Sequence, residues 1–301
     1  MSISGQNLSI VIVTLKSNQV IHQCIKSINH DLPIIIIENS SDINFKQDLE
    51  KMYKNLTCIL SKKNLGMGNG NNLGIKFAKT DYVLILNPDV ILEKHTIENL
   101  IKTSQKISEF AILSPISTNK DFPNYKMFKT TEAKKYDLEP FMVKSVDGYA
   151  MLLNKKEIEK ILIKESSNKD NDYFDKNIFM YLENDDLCKR IIHAKKNIFI
   201  DPQSRINHLG GSAVDKIYEE EVELSRNWHW MWSKFYFNKK HYGFLKAFAN
   251  GFPKFFLTIF KYLFFLITYN NFKANKYRNR LSGFLNGMMG KPSWYRPKIN
   301  D

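Results

Sequence analysis

Asn64-Leu-Gly-Met-Gly-Asn-Gly-Asn-Asn-Leu-Gly74, followed after a spacer of helical pattern by Tyr82-Val-Leu-Ile-Leu-Asn-Pro-Asp89, decides the reading of the fold. Tyr82 to Leu86 is a short apolar run suited to a strand buried on both faces, as in a parallel sheet. The run stops at Asn87-Pro88 and leaves one carboxylate, Asp89, projecting beyond it. A lone carboxylate at a strand end suits a divalent cation that takes its other ligands from phosphates and water. The Gly/Asn-rich stretch ahead of it reads as a loop whose small residues tolerate left-handed backbone and let amides approach an anion. It is not a P-loop, because the Gly-Lys-Ser/Thr ending is missing.

Working outward, Leu8 to Thr14 reads as a first strand, Gln19 to Asn29 as a helix and Pro33 to Ile37 as a second strand. Lys46 to Lys54 reads as a helix, Thr57 to Leu60 as a third strand, Asn71 to Lys79 as a helix, Tyr82 to Leu86 as a fourth strand and His95 to Ile107 as a helix. Such alternation predicts an α/β, mainly parallel sheet covered on both faces. Ligands in these sheets collect at the carboxyl ends of the strands, where Thr14, Glu38-Asn39 and Asn87-Asp89 fall. Thr118 to Glu139 reads as a mobile loop rather than a domain boundary, since a strand-like segment, Val143 to Leu153, follows with Asp147-Gly148 in its middle. Glycine inside a strand often marks the approach of a ligand. Ser166 to Asp172 is a further polar loop. The aromatic run Tyr173 to Leu182 then delivers Glu183-Asn-Asp-Asp186 to a helix start, Asn197 to Ile200 is a strand, and His208 heads a Gly-Gly turn.

The charge is unevenly distributed. Residues 226–301 hold 14 Lys and Arg and a single acid, Asp301, so the whole net charge of +13 lies there and the preceding residues balance to zero. The same segment carries 22 of the 39 aromatic residues. We therefore expect a neutral domain, 1–225, and a basic, aromatic helical region, 226–301. Cys24, Cys58 and Cys188 are too few and too scattered for a disulfide framework or a zinc site. The N-terminus lacks the pattern of a signal peptide, and the expectation is a cytoplasmic protein.

Val11 to Thr14, Ile37-Glu-Asn-Ser-Ser-Asp42, Asn64 to Gly74, Leu86-Asn-Pro-Asp89, Val146-Asp-Gly-Tyr-Ala-Met-Leu, Tyr181 to Arg190 and His208-Leu-Gly-Gly-Ser212 together resemble the ordered motifs of bacterial family 2 glycosyltransferases, in particular the rhamnosyltransferase-like branch. The resemblance implies a GT-A fold, an inverting reaction, a nucleoside-diphosphate sugar donor such as a dTDP- or UDP-sugar, and a divalent cation, Mg2+ or Mn2+. It implies nucleotide-sugar contacts from Thr14, Glu38, Asn39, Asp42, Asn64, Gly66, Asn71, Asn72, Asn87 and Asp89, metal ligation by Asp89 and His208, and acceptor or sugar contacts from Asp147 and Gly148. Glu38 stands where the family usually has Asp. Asn184 stands where many relatives have an acid held to be the catalytic base, and an amide cannot accept a proton, so that role passes to Glu183, Asp185 or Asp186, with Glu183 favoured. An attacking hydroxyl needs such a base, and the departing diphosphate needs a cation and donors aimed at it.

Each motif also has a plainer reading. A helix dipole favours an acidic first turn, Asn87-Pro-Asp suits a strand-ending turn, and an isolated histidine is usually a hydrogen-bonded loop residue. Their order along one chain favours the site.

In the C-terminal region, Lys216 to His241, with Trp228, Trp230, Trp232, Phe235 and Tyr236, is expected as a long helix. Pro253 to Tyr269 is nearly all apolar, but its seventeen residues would span about 25 Å as a helix, short of a hydrocarbon core of about 30 Å. With Lys254 and Lys261 on one face and basic residues following, residues 244–280 read as an interfacial helix on an anionic membrane surface. The expectation is a peripheral enzyme on the inner face of the membrane, acting on a lipid-linked saccharide acceptor. A sugar-nucleotide pyrophosphorylase would carry a Gly-rich loop after the first strand, and Thr14 to Asn18 has no glycine. A nucleic-acid partner is disfavoured by the apolar density of Phe255 to Tyr269.

Overall fold

The computed structural model describes residues 7–107, 109–119, 123–128, 138–165 and 172–299. The loops expected at Thr118–Glu139 and Ser166–Asp172 lie largely outside the described residues. The chain divides into two compact units.

The first unit, Met1–Leu65, Asn69–Asp175 and Asn184–Asp215, is built on β1 (Leu8–Thr14), α1 (Ile21–Ile28), β2 (Ile34–Glu38), α2 (Ile43–Met52), β3 (Leu56–Leu60), α3 (Gly66–Phe77) and β4 (Tyr82–Leu86). There follow β5 (Val90–Leu92), α4 (Thr96–Lys106), β6 (Phe110–Ser117), β7 (Tyr125–Lys126), β8 (Phe141–Met142), β9 (Ser145–Val146) and β10 (Ala150–Asn154). The unit ends with α5 (Lys155–Glu165), α6 (Glu183–His193) and β11 (Asn197–His208).

Strands β3, β2, β1 and β4 pair in parallel in that order. The sheet continues with β10, antiparallel to β4, then β6, β11 and β5. The apolar runs of β1 and β2 are buried throughout, as two-sided cover requires. Residues Ile21, Cys24, Ile25 and Ile28 form the buried stripe of α1, at the i, i+3, i+4, i+7 spacing of an amphipathic helix.

The structure corrects two sequence expectations here. The Gly/Asn stretch is not a loop, because α3 already begins at Gly66. Gly70 and Gly74 face the sheet, where an added Cβ would lie 2.8 Å from Val13 Cγ1 and 2.3 Å from Val11 Cγ1. These glycines let a helix lie close on a β-branched strand. Likewise, Asp147-Gly148 is not mid-strand but joins β9 to β10.

The second unit, Gly66–Gly68, Lys176–Glu183 and Lys216–Asp301, contains α7 (Glu219–Tyr242), α8 (Phe244–Ile267) and α9 (Asn271–Met288). Glycine again sets close approach: a Cβ on Gly283 would lie 2.1 Å from the Trp228 carbonyl oxygen, and one on Gly251 would lie 2.3 Å from the Phe284 ring. Trp228 and Trp232 are buried, with indole N–H groups donating to Ser282 Oγ and to the Lys291 carbonyl.

The apolar helix is longer than its sequence implied. Read from Pro253 it is too short to cross a membrane, yet α8 runs 24 residues from Phe244 with Pro253 inside it. At about 1.5 Å per residue it is about 36 Å long, long and apolar enough to cross by length and composition. Only Ala247, Gly251 and Thr258 are buried on it.

Candidate functional site

In the strand order β3-β2-β1-β4, the chain progresses outward from β1 and then returns to β4 on the other side. The direction of winding switches between β1 and β4, and open α/β sheets bind ligands at the carboxyl end of that switch. Thr14 ends β1, and Asn87 and Asp89 follow β4. Asn87-Pro-Asp-Val90 is a turn, closed by Val90 N–H donating to the Asn87 carbonyl at 3.1 Å.

Among the described residues of this unit, four buried polar atoms make no hydrogen bond: Thr14 Oγ1, Asn71 Oδ1, Asn87 Oδ1 and Asp89 Oδ1, the last facing His208. Thr14, Asn71 and Asp89 are all under 4 % exposed. A buried polar atom without a partner is destabilising by about 1–3 kcal/mol, and native proteins hold only a few. Three of them at one strand-end switch point to a ligand that satisfies them.

Beside this group, His208 Nε2 lies 3.4 Å from Asp89 Oδ1, and the His208 ring stacks on Tyr149 with centroids 4.0 Å apart. His208 is the last residue of β11, which pairs with β5, and the Leu209 N–H donates to the Asp89 carbonyl. The two side chains are thus held by backbone pairing. Among the described residues no group of three His, Cys, Asp or Glu side chains could hold a metal. A cation here would take Asp89 and His208 as its protein ligands.

Other expected residues serve the frame in this conformation. Both Glu38 carboxylate oxygens turn back into their own loop, accepting from Ser40 N–H and Oγ–H and from Asp42 N–H. Asp42 caps α2 by accepting from Phe45 N–H at 3.0 Å and pairs with Lys16 at 3.5 Å. Asn39 Oδ1 accepts from Leu65 N–H and Ser61 Oγ–H, which ties the β2 loop to the entry of α3. Asn72 grips the Phe174 backbone through both amide atoms, at 2.8 and 2.9 Å. Asn64 is half-buried ahead of α3. Gly66, at φ +78°, belongs to the second unit, where a Cβ would collide with the Phe179 carbonyl at 2.2 Å.

The acidic cluster divides sharply. Asp186 is fully buried, with Oδ2 accepting from Arg190 Nε–H at 3.0 Å. Asp185 receives Lys126 Nζ on both oxygens at 2.9 Å. Asn184 donates to the Val146 carbonyl, and a Cβ on Gly148 would lie 3.3 Å from Asn184 Cβ. Glu183, counted with the second unit, follows Tyr181 and Leu182 at φ +69° and +68°. Burial raises the Asp147 carboxyl above the ordinary range, with Lys126 and His208 opposing and Asp185 reinforcing. Asp147 therefore feels both the Asp185–Lys126 pair and the histidine beside Asp89.

Three contributors escaped the sequence reading. Tyr149 stacks on His208, and burial pushes its phenol up to about 12, so it stays neutral. Lys126 holds Asp185 from the β7 strand, a short element with little pattern. Ser17, fully buried, donates to the Ala213 carbonyl at 2.6 Å and anchors the chain that follows His208. Asp147-Gly-Tyr149 was a usable signal for the tyrosine, whereas a surface lysine carries none.

A mainly parallel sheet covered by helices, with a carboxylate after its fourth strand at the switch in winding, defines an α/β protein. The Glycosyl transferase family 2 pattern matches residues 9–162, about half the chain, and the chain belongs to that family. It is 26% identical over 238 residues to a "Low-salt glycan biosynthesis hexosyltransferase Agl10" of Haloferax volcanii, covering 73% of this chain and 69% of that protein. Among solved structures it resembles "GalNAc-T7 with UDP, GalNAc and Mn2+" at a TM-score of 0.53 and 14% identity, over 74% of this chain. This chain spans about half the length of that one, 51%, and the likeness is one of fold, GT-A.

Proposed function

We propose that this protein is an inverting glycosyltransferase that moves a sugar from a nucleoside-diphosphate sugar to a hydroxyl of a lipid-linked saccharide in glycan assembly. The supporting observation is the set of buried atoms that make no hydrogen bond, Thr14 Oγ1, Asn87 Oδ1 and, facing His208, Asp89 Oδ1, at the carboxyl end of the β1–β4 switch. Family membership, the hexosyltransferase relative and a fold neighbour described with UDP and Mn2+ favour the same reading. The order of motifs makes dTDP- and UDP-linked hexoses, rhamnose included, the first donors to test.

Asp89 Oδ1 and His208 Nε2 suit a Mg2+ or Mn2+ ion that would neutralise charge on the departing diphosphate. Thr14 and Asn87 orient the donor, and Asn71 adds an acceptor from α3. Glu183 is our choice of base, with Asp185 next; Asp186 is fully buried against Arg190 and withdrawn from an acceptor hydroxyl. We assign Asp147 to a hydroxyl of the sugar or the acceptor. The exposed face of α8 would rest on the inner surface of a membrane, with Lys246, Lys254 and Lys261 at its flank.

Thermal denaturation with dTDP-, UDP- and GDP-sugars, with and without Mn2+ or Mg2+, tests the reading. A donor at a hundred times its Kd adds about 2.7 kcal/mol, and Asp89→Ala should abolish the metal-dependent part. Absence of any shift with every donor and metal would overturn it.

A further inference from the structure

The His208 imidazole lies face to face with the Tyr149 ring, 4.0 Å between centroids and 21° between planes. A histidine that ligates a metal normally has its ring fixed by a hydrogen bond from its second nitrogen to a carboxylate, a carbonyl or water. Among the described residues His208 Nδ1 has no such protein partner: the side chain meets Asp89 through Nε2 at 3.4 Å and Tyr149 through its face. Tyr149 is itself held in place. Its carbonyl accepts from Asn87 N–H at 2.9 Å, one step beyond the Leu86–Ala150 pair of the β4–β10 ladder. One residue thus contacts Asn87 through its backbone and His208 through its ring. A face-to-face neighbour fixes the plane of the imidazole and leaves Nε2, whose lone pair lies in that plane, free to face a ligand. An imidazole bonded to a cation is also poorer in electrons and is drawn more strongly to the negative face of an aromatic ring.

We propose that Tyr149 is a positioning residue: its ring takes the place of the second-nitrogen hydrogen bond and holds His208 Nε2 toward the divalent cation shared with Asp89. This rests on the metal-binding part of the proposed function. The ring face is the working part and the hydroxyl is not, so phenylalanine should serve and an aliphatic side chain should not. A packing role alone would be met by any apolar side chain of similar bulk.

The full-length protein is titrated with Mn2+ in the presence of UDP, dTDP or GDP, and the protein-bound ion is followed by the relaxation of water protons. Tyr149→Leu and Tyr149→Met should each weaken Mn2+ binding about tenfold, whereas Tyr149→Phe should stay within about twofold of the wild type. Thermal denaturation checks folding, and two aliphatic variants are made so that the loss of one leaves the other. In the metal-free protein the His208 Hε1 resonance, assigned by its disappearance in His208→Asn, should lie upfield in the wild type and in Tyr149→Phe and move downfield in the aliphatic variants. Wild-type Mn2+ affinity in a folded aliphatic variant, a Phe variant as weak as the Leu one, or an Hε1 resonance that does not move overturns the role of the ring while leaving the metal site standing. Mn2+ binding that is absent with every nucleotide, or unchanged by Asp89→Ala, overturns the metal reading and this inference with it.

Discussion

Replacing Thr14 by Val separates a ligand-directed hydroxyl from a structural one. Thr14 is 1% exposed and its Oγ1 has no partner, so the free protein bears the desolvation of that oxygen uncompensated. Valine matches the shape, suits a strand and removes the penalty, which is about 1–3 kcal/mol for an unsatisfied buried group. Taking about 1 kcal/mol, the ligand-free variant should melt roughly 2–4 °C above the wild type for a domain of this size. The same change deletes a hydrogen bond to the donor worth about 1 kcal/mol, weakening binding about fivefold. At a donor concentration that adds about 2.7 kcal/mol to the wild type, the variant then gains only about 1.8 kcal/mol. The two melting curves should therefore lie apart without donor and nearly coincide with it. The assay is paired thermal denaturation, with isothermal titration for the donor Kd. A variant that melts below the wild type without donor and keeps the full donor shift would refute the reasoning, because the hydroxyl would then serve the fold.

Other substitutions test neighbouring claims. Asp186→Asn should destabilise by about 1–3 kcal/mol by removing the buried charge that Arg190 Nε–H faces, whereas Glu183→Gln should leave the melting temperature unchanged and lower kcat by about 10²–10⁴; normal turnover of the Gln variant would exclude that base. Gly74→Ala should cost about 1–3 kcal/mol, since its Cβ would sit 2.3 Å from Val11 Cγ1, and adding Val11→Ala should recover much of the loss in a double-mutant cycle by chemical denaturation. Lys234 holds its proton less tightly when folded, at about 8 against an ordinary 10.5. The unfolded chain binds more protons across that interval, so this lysine makes stability rise as pH climbs from about 8 to 10.5. Lys254→Gln should flatten that rise in denaturation midpoints measured across the same range.

Strands β1, β2 and β4 were legible because each is a short apolar run between polar punctuation, whereas Val90–Leu92 and Phe110–Ser117 were not read as strands and β11 continues to His208, past the Ile200 expected as its end. Asp89 was legible as the residue that follows an apolar strand, whereas His208, read as the head of a glycine turn, is the last residue of that longer strand. The Gly/Asn stretch was misread because glycine serves two purposes that look alike in sequence. It permits positive φ, as at Gly66, and it removes a Cβ, as at Gly70 and Gly74. Which one applies depends on Val11 and Val13, some sixty residues away. Helix α8 was shortened because Pro253 reads as a start signal, whereas it lies inside the helix. Glu38 and Asp42, ligand contacts by the resemblance, have oxygens that close the loop and cap α2 in this conformation, a role set by loop geometry that residue type alone does not encode.

The aromatic content of residues 226–301 pointed toward a membrane, yet Trp228, Trp232, Phe235 and Phe284 are buried inside the second unit. Tyr181 and Leu182 both occupy the left-handed region, unfavourable for non-glycine residues by roughly 1–2 kcal/mol each, and such strain persists only where the surroundings over-determine it. The surroundings are the helices of the second unit. Ser233 Oγ–H on α7 donates to the Met180 carbonyl at 2.7 Å, Asn177 donates to the Tyr236 hydroxyl, and Ser293 donates to the Asn177 carbonyl. Arg296 lies 3.7 Å over the Phe179 ring, and Tyr181 meets Trp230 edge-on. The strained pair ends at Glu183, so the residue proposed as base takes its orientation from the basic aromatic helices rather than from the strands that carry Asp89. Ser233→Ala therefore relaxes that restraint, and it should lower kcat more than it raises the donor KM.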